Sequence, residues 1–168
     1  MYYINFIFLY SILGFILESV VYKYYNVNNH SSIFIGPYTL VYGFGMLFCY
    51  LIYLHLKLPN HIINYLIYYL IFVITTSLIE FVGGHIIHFL LGIDKWNYSY
   101  NKYSIGKYVT LKNSLIWGIL VSINLYIFHP YFQKYILNTI PYYVTIIGLI
   151  IFTIDLILLI KKIMKHFS

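Results

Sequence analysis

The sequence has no arginine, a single cysteine, and only four carboxylates in 168 residues. Each scarcity excludes something. One cysteine, Cys49, forbids an intrachain disulfide and leaves the redox compartment undetermined; inside an apolar run it reads as a small buried hydrophobe. Charged residues make up 8% of the chain, against about 25% in an ordinary soluble domain. With 62% hydrophobic residues, a core of this length could not hide the apolar surface from water. No G-x-x-x-x-G-K-[ST] phosphate loop occurs, so the chain does not hydrolyse ATP by that route.

What is present is a series of long apolar runs, each near the roughly 20 residues that cross a bilayer. They predict an all-α polytopic membrane helix bundle, a single integral membrane domain with five spans. The spans run from about Tyr3 to Val21, Tyr38 to Tyr53 (extendable to Leu56), Ile62 to Leu91, Leu115 to Phe128 with its flanks, and Tyr142 to Ile160. The third is too long for one upright crossing and must tilt or project. "YNVNNHSS", "KLPN", "GIDKWNYSYNKYSIGK" and "HPYFQKYILNTIP" punctuate the runs, and Pro141 reads as a helix start. The first span carries Glu18 and no basic leader, unlike a cleavable signal peptide.

With arginine absent, lysine alone sets orientation. Five spans put Lys23, Lys95, Lys102, Lys107, Lys112, Lys161, Lys162 and Lys165 on one side, and Lys57 and Lys134 on the other. The positive-inside rule then predicts the N-terminus outside and the C-terminus in the cytoplasm. Lysines flanking spans serve anionic lipid, so the bilayer is the expected partner and nucleic acid is not. Both N-x-[ST] sequons, at Asn29 and Asn97, fall on the cytoplasmic side. In a eukaryotic host neither is expected to be glycosylated, and a glycan on Asn97 inverts the topology.

Three of the four carboxylates converge in depth: Glu18, Glu80 and Asp155 all sit towards the inner end of their spans. A charge at mid-bilayer costs on the order of 3 kcal/mol, so such residues face the bundle interior, pair, or line a wet cavity. Near their helix ends, Glu18 can snorkel and Asp155 can pair with Lys161 or Lys162. Glu80 lies deeper. Helical spacing sets it in a row with Gly84 and His88, and points His85 away. No face presents Glu80, His85 and His88 together, so the spacing predicts no metal site. Gly83 and Gly84 are expected to admit a neighbouring helix or to act as a hinge. The expected intramembrane polar cluster is Glu18, Glu80, His88 and Asn97, capped by an aromatic loop bearing Trp96 and Tyr98 at the headgroup level. Gly36-Pro37 is expected to launch the second helix, with Pro37 in its first turn. The tyrosine and isoleucine abundance also fits an AT-rich genome.

Five stretches in order, "LYSILGFILES", "GPYTLVYGFG", "IEFVGG", "KWNYS" and "LKNSLIWG", resemble the membrane family called putative type-IV ABC transporter and the related eukaryotic transmembrane protein 229 group. The likeness covers roughly residues 9 to 130 and leaves out the fifth span. Gly14, Glu18, Gly36, Pro37, Tyr42, Gly43, Glu80, Gly84, Trp96, Tyr98 and Ser99 match the family pattern. Phe15 replaces a tryptophan, His88 stands where many members have a second glutamate, and Asn97 replaces an aspartate. The last two departures remove carboxylates that an acid–base role would use.

The resemblance implies a transport component or accessory for a small solute, with a separate ATPase subunit or a second copy of the chain as partner. The alternatives are a non-catalytic scaffold or lipid-binding protein, and third a lipid-modifying enzyme using Glu80 and His88 as acid and base. No nucleophile–base spacing is present, so the expectation is a non-enzyme without cofactor or metal.

Overall fold

The computed structural model describes residues 1–24, 31–59 and 61–167. The sequon at Asn29 lies outside the described residues. Five helices run through the chain: α1 (Tyr2–Tyr24), α2 (Leu40–Leu56), α3 (Ile62–Leu91), α4 (Leu111–Leu137) and α5 (Tyr142–Phe167). Four of them are long and apolar enough to cross a membrane, and α2, with 17 residues, is shorter. At 1.5 Å per residue α2 reaches about 26 Å, just short of a typical hydrocarbon core. Helices suit this setting because each satisfies its backbone groups internally where no water can.

α1 packs on α2, α2 on α3, and α3 on α4, while α5 touches the others more sparingly. The core between them is aromatic: Phe6, Tyr10, Tyr50, Tyr68 and Phe72 surround Met46 and Cys49. Outward faces carry the apolar side chains that lipid accepts, such as Ile147, Ile150, Ile151 and Ile154 on α5. Buried polar side chains then stitch helices together. Thr145 Oγ1 of α5 donates to Asn5 Oδ1 of α1 at 2.8 Å.

Three expectations change. "HPYFQKYIL" is not a polar connection but the last third of α4, a helix that holds π-helical turns at Asn124–Phe128 and Gln133–Leu137. A proline inside a helix lacks its amide and crowds the preceding turn. The wide turn before Pro130, with His129 N–H donating back to the Asn124 carbonyl, relieves that crowding so the helix continues. Second, Pro37 is not in the first turn of α2, which begins at Leu40 with Thr39 as its N-cap residue. The preceding backbone is held elsewhere: Thr39 N–H donates to the Ser11 carbonyl at 3.0 Å, and Tyr38 N–H to the Gly36 carbonyl at 2.8 Å. Third, the loop between α3 and α4 contains a small hairpin, β1 (Ser104–Ile105) against β2 (Val109–Thr110), turning at Gly106 with φ 63°.

Candidate functional site: a carboxylate-lined cavity within the bundle

Gly14 and Glu18 are one helical turn apart on α1 and face the bundle. A Cβ on Gly14 would lie 2.3 Å from Tyr42 Cγ, so only glycine leaves room for that ring to lie flat against α1. Glu18 is 5% exposed, and both its oxygens are engaged. Ser31 donates its amide to Oε1 at 3.0 Å and its hydroxyl to Oε2 at 2.6 Å. Glu18 therefore does not snorkel; Ser31, in the α1–α2 connection, supplies a donor to each of its oxygens.

On α3, Glu80 Oε1 accepts a hydrogen bond from Trp117 Nε1 of α4 at 3.0 Å. Its Oε2 is buried without a partner. Glu18, Glu80 and Trp117 all line one half-open cavity of about 390 Å³ between α1, α2, α3 and α4. Trp96 and Tyr98 close its end from the α3–α4 loop, and Asn124 lines it from the first π-helical turn. Trp96 Nε1 and Asn124 Oδ1 are also buried without partners. The residues lining one cavity thus carry two unmatched acceptors and one unmatched donor; the other unpartnered buried atoms among the described residues are the Ser11, Thr39 and Tyr126 hydroxyls. Burial, together with the Glu80 and Glu18 carboxylates, pushes the Tyr98 phenol above its ordinary value.

The structure brings Glu18 and Glu80 to this cavity and places His88 and Asn97 outside it. His88 is solvent-exposed, its Nδ1 2.8 Å from Asp94 Oδ1. The row through Glu80, Gly84 and His88 drifts around α3, and eight residues suffice to carry it from the interior to the surface. Asn97 Oδ1 accepts the Ser99 amide at 2.9 Å, a local turn contact. Trp96 and Tyr98 form part of the cavity wall rather than serving only as headgroup anchors. Gly84 receives a loop side chain, not a helix: a Cβ there would lie 2.3 Å from Tyr108 Cγ. Gly83 has only ordinary contacts, with Val41 and Trp96, and Gly36 lies under the Tyr38 ring. Asp155 pairs with neither Lys161 nor Lys162 but accepts from the Ile35 and Gly36 amides.

Sequence reasoning missed Trp117 and Asn124 as site residues. Each is a polar-headed residue inside an apolar run, a signal as visible as Glu80 itself, but the helix face that each presents is not.

The loop is fixed from outside the cavity. Asp94 accepts from the Tyr108 phenol at 2.7 Å and from Lys107 Nζ at 3.4 Å, beside His88. The Tyr108 hydrogen bond, with His88 and Lys107, holds the Asp94 carboxyl below its usual value, while burial and Asp94 push the Tyr108 phenol up to about 12. A carboxyl lowered in the folded state stabilises it fully above the unfolded pKa of about 3.9, and this contribution fades as pH falls through the folded value. Hydrogen exchange of residues 94–108 is therefore expected to accelerate below about pH 4. Asp94→Asn should exchange faster at neutral pH and lose that acid transition; an unchanged transition in this variant excludes Asp94 as its origin.

The family described as Putative ABC-transporter type IV matches residues 5–160. The chain belongs to this family. No curated protein and no solved structure matches it. The type IV match covers every residue lining the cavity and extends through most of α5 to include Asp155, so the fifth span lies within the likeness and not beyond it. The protein is a helical membrane component of a transporter-related family.

Proposed function

We propose that this protein is the membrane component of a transporter that holds a small solute in the cavity between α1 and α4 and works with a separate ATPase subunit. The observation that carries the reading is the set of three buried, unpartnered polar atoms, Glu80 Oε2, Trp96 Nε1 and Asn124 Oδ1, on residues that line one cavity. Leaving such atoms unpaired costs about 1–3 kcal/mol each, a cost that a bound polar molecule or water removes. A scaffold needs no cavity of this kind. A lipid-modifying enzyme using Glu80 with His88 finds the two on different faces of α3. The lysine asymmetry supports a cytoplasmic position for the Glu18 and Trp96 end, where an ATPase subunit would stand. No phosphate loop occurs in the chain itself.

The test is ATP hydrolysis by the complex purified through a tag on this chain, from the cells that make it, and placed in nanodiscs. Hydrolysis is expected, and Glu80→Gln should lower it by about fivefold or more at unchanged complex yield, because cavity and ATPase are coupled. Protein that is folded but carries no ATPase activity refutes the transporter reading and leaves the scaffold.

A further inference from the structure

The cavity wall is electrically one-sided. Two carboxylates line it, and among the described residues no lysine or histidine does. Glu18 is already matched, with both oxygens on Ser31 and its field reaching the Lys95 ammonium in the loop. Glu80 is not matched: one oxygen meets an indole N–H, which carries no net charge, and the other meets nothing. Tyr42, Trp96 and Trp117 line the same cavity, and the faces of such rings attract positive charge through the ring quadrupole.

A carboxylate with one oxygen buried and unpartnered, in the wall of an aromatic, otherwise apolar cavity, calls for a cation. The candidates divide by coordination chemistry. Calcium takes six to eight oxygens and magnesium an octahedron of them, and no group of three His, Cys, Asp or Glu comes together among the described residues. A volume of about 390 Å³ falls in the range of small organic ligands, and its wall suits an apolar body. A neutral acyl chain would fill the space but leave all three polar atoms unpaired. The spacing adds a length. Asn124 is seven residues beyond Trp117, roughly 10 Å along α4, so its unpartnered acceptor lies well away from Glu80.

We infer that the cavity binds an organic ammonium ion, with the amine on the Glu80 carboxylate, the apolar body against the rings of Tyr42, Trp96 and Trp117, and room for a hydrogen-bond donor at the far end near Asn124. This rests on the reading that the cavity holds a solute. It adds the charge and shape of that solute.

The molecule supplies its own reporter, since its only two tryptophans, Trp96 and Trp117, both line the cavity. The purified protein in nanodiscs is titrated near neutral pH with 2-phenylethylamine, with its neutral isostere 2-phenylethanol, and with sodium chloride, following tryptophan fluorescence. The amine is expected to give a saturable change, and the alcohol to bind about tenfold more weakly or worse. Glu80→Gln should weaken the amine by about tenfold and bring it level with the alcohol. The comparison of amine with alcohol on the unaltered protein stands even if the variant folds poorly. Equal affinity for alcohol and amine overturns the ammonium inference while leaving a solute cavity. Saturation of the same signal by sodium alone overturns it in favour of an alkali ion. Amine binding untouched by Glu80→Gln in folded protein overturns it too, as does silence to every probe. In that last case ATP hydrolysis by the complex decides separately whether the transport reading survives, and amine binding without ATPase activity leaves the inference standing while the transport reading falls.

Discussion

Gly43→Leu is expected to prevent α1 and α2 from packing and to destabilise the bundle by about 3 kcal/mol or more, at the upper end of overpacking effects. A Cβ on Gly43 would lie 2.3 Å from Ser11 Oγ and 2.5 Å from the Ile7 carbonyl oxygen. The second of these is backbone, so no rotamer change relieves the clash; the helices must separate. The same region carries the Thr39 N–H to Ser11 carbonyl bond, and separation breaks it as well. Gly83→Leu is the control, because a Cβ there meets only Val41 at 3.5 Å and Trp96 at 3.9 Å. Thermal unfolding in detergent, followed by circular dichroism, checks the pair. Equal loss of thermal stability in the two variants would remove the case for close approach at Gly43.

The second large effect lies at Asp155. Its carboxylate accepts the Ile35 amide at 3.0 Å, the Gly36 amide at 2.8 Å and the Tyr38 phenol. With 6% of its surface exposed, it holds the segment before α2 against α5. Asp155→Leu strands three donors, and at about 1–3 kcal/mol for each unsatisfied group the loss is several kcal/mol. Asp155→Asn keeps one carbonyl acceptor and is expected to fall between the two. Because α5 is the most sparingly packed helix, held otherwise by Thr145 on Asn5, Phe152 on Phe8 and Leu159 beside Ile87 and Leu91, the damage should be local before it is global. Hydrogen exchange of residues 31–39 and of α5 is expected to rise in Asp155→Leu while the core around Phe72 stays protected. A variant with unchanged exchange in both segments would show that the carboxylate is dispensable as a tie.

The sequence by itself determined the solvent and the class of fold. Apolar runs, each about as long as a bilayer is thick, admit only helices, because backbone amides in hydrocarbon must be satisfied within the segment that carries them. Hence the bounds of α3, the start of α5 after Pro141, and the interest of Glu18 and Glu80 were all legible from residue order. So was the family, through short motifs in sequence. Tertiary structure decided which faces meet. The rotational drift of a helix over two turns took His88 away from Glu80 and gave it to Asp94. A π-helical turn, which apolar periodicity does not reveal, carried α4 past Pro130 and set Asn124 against the cavity. Asp155 found its partners about 120 residues earlier in the chain, at Ile35 and Gly36, and not in the lysines beside it. A carboxylate in an apolar stretch announces that it needs a partner, because its burial alone is costly. Which partner it takes depends on helix rotation and packing, and these are set by contacts spread over the whole bundle.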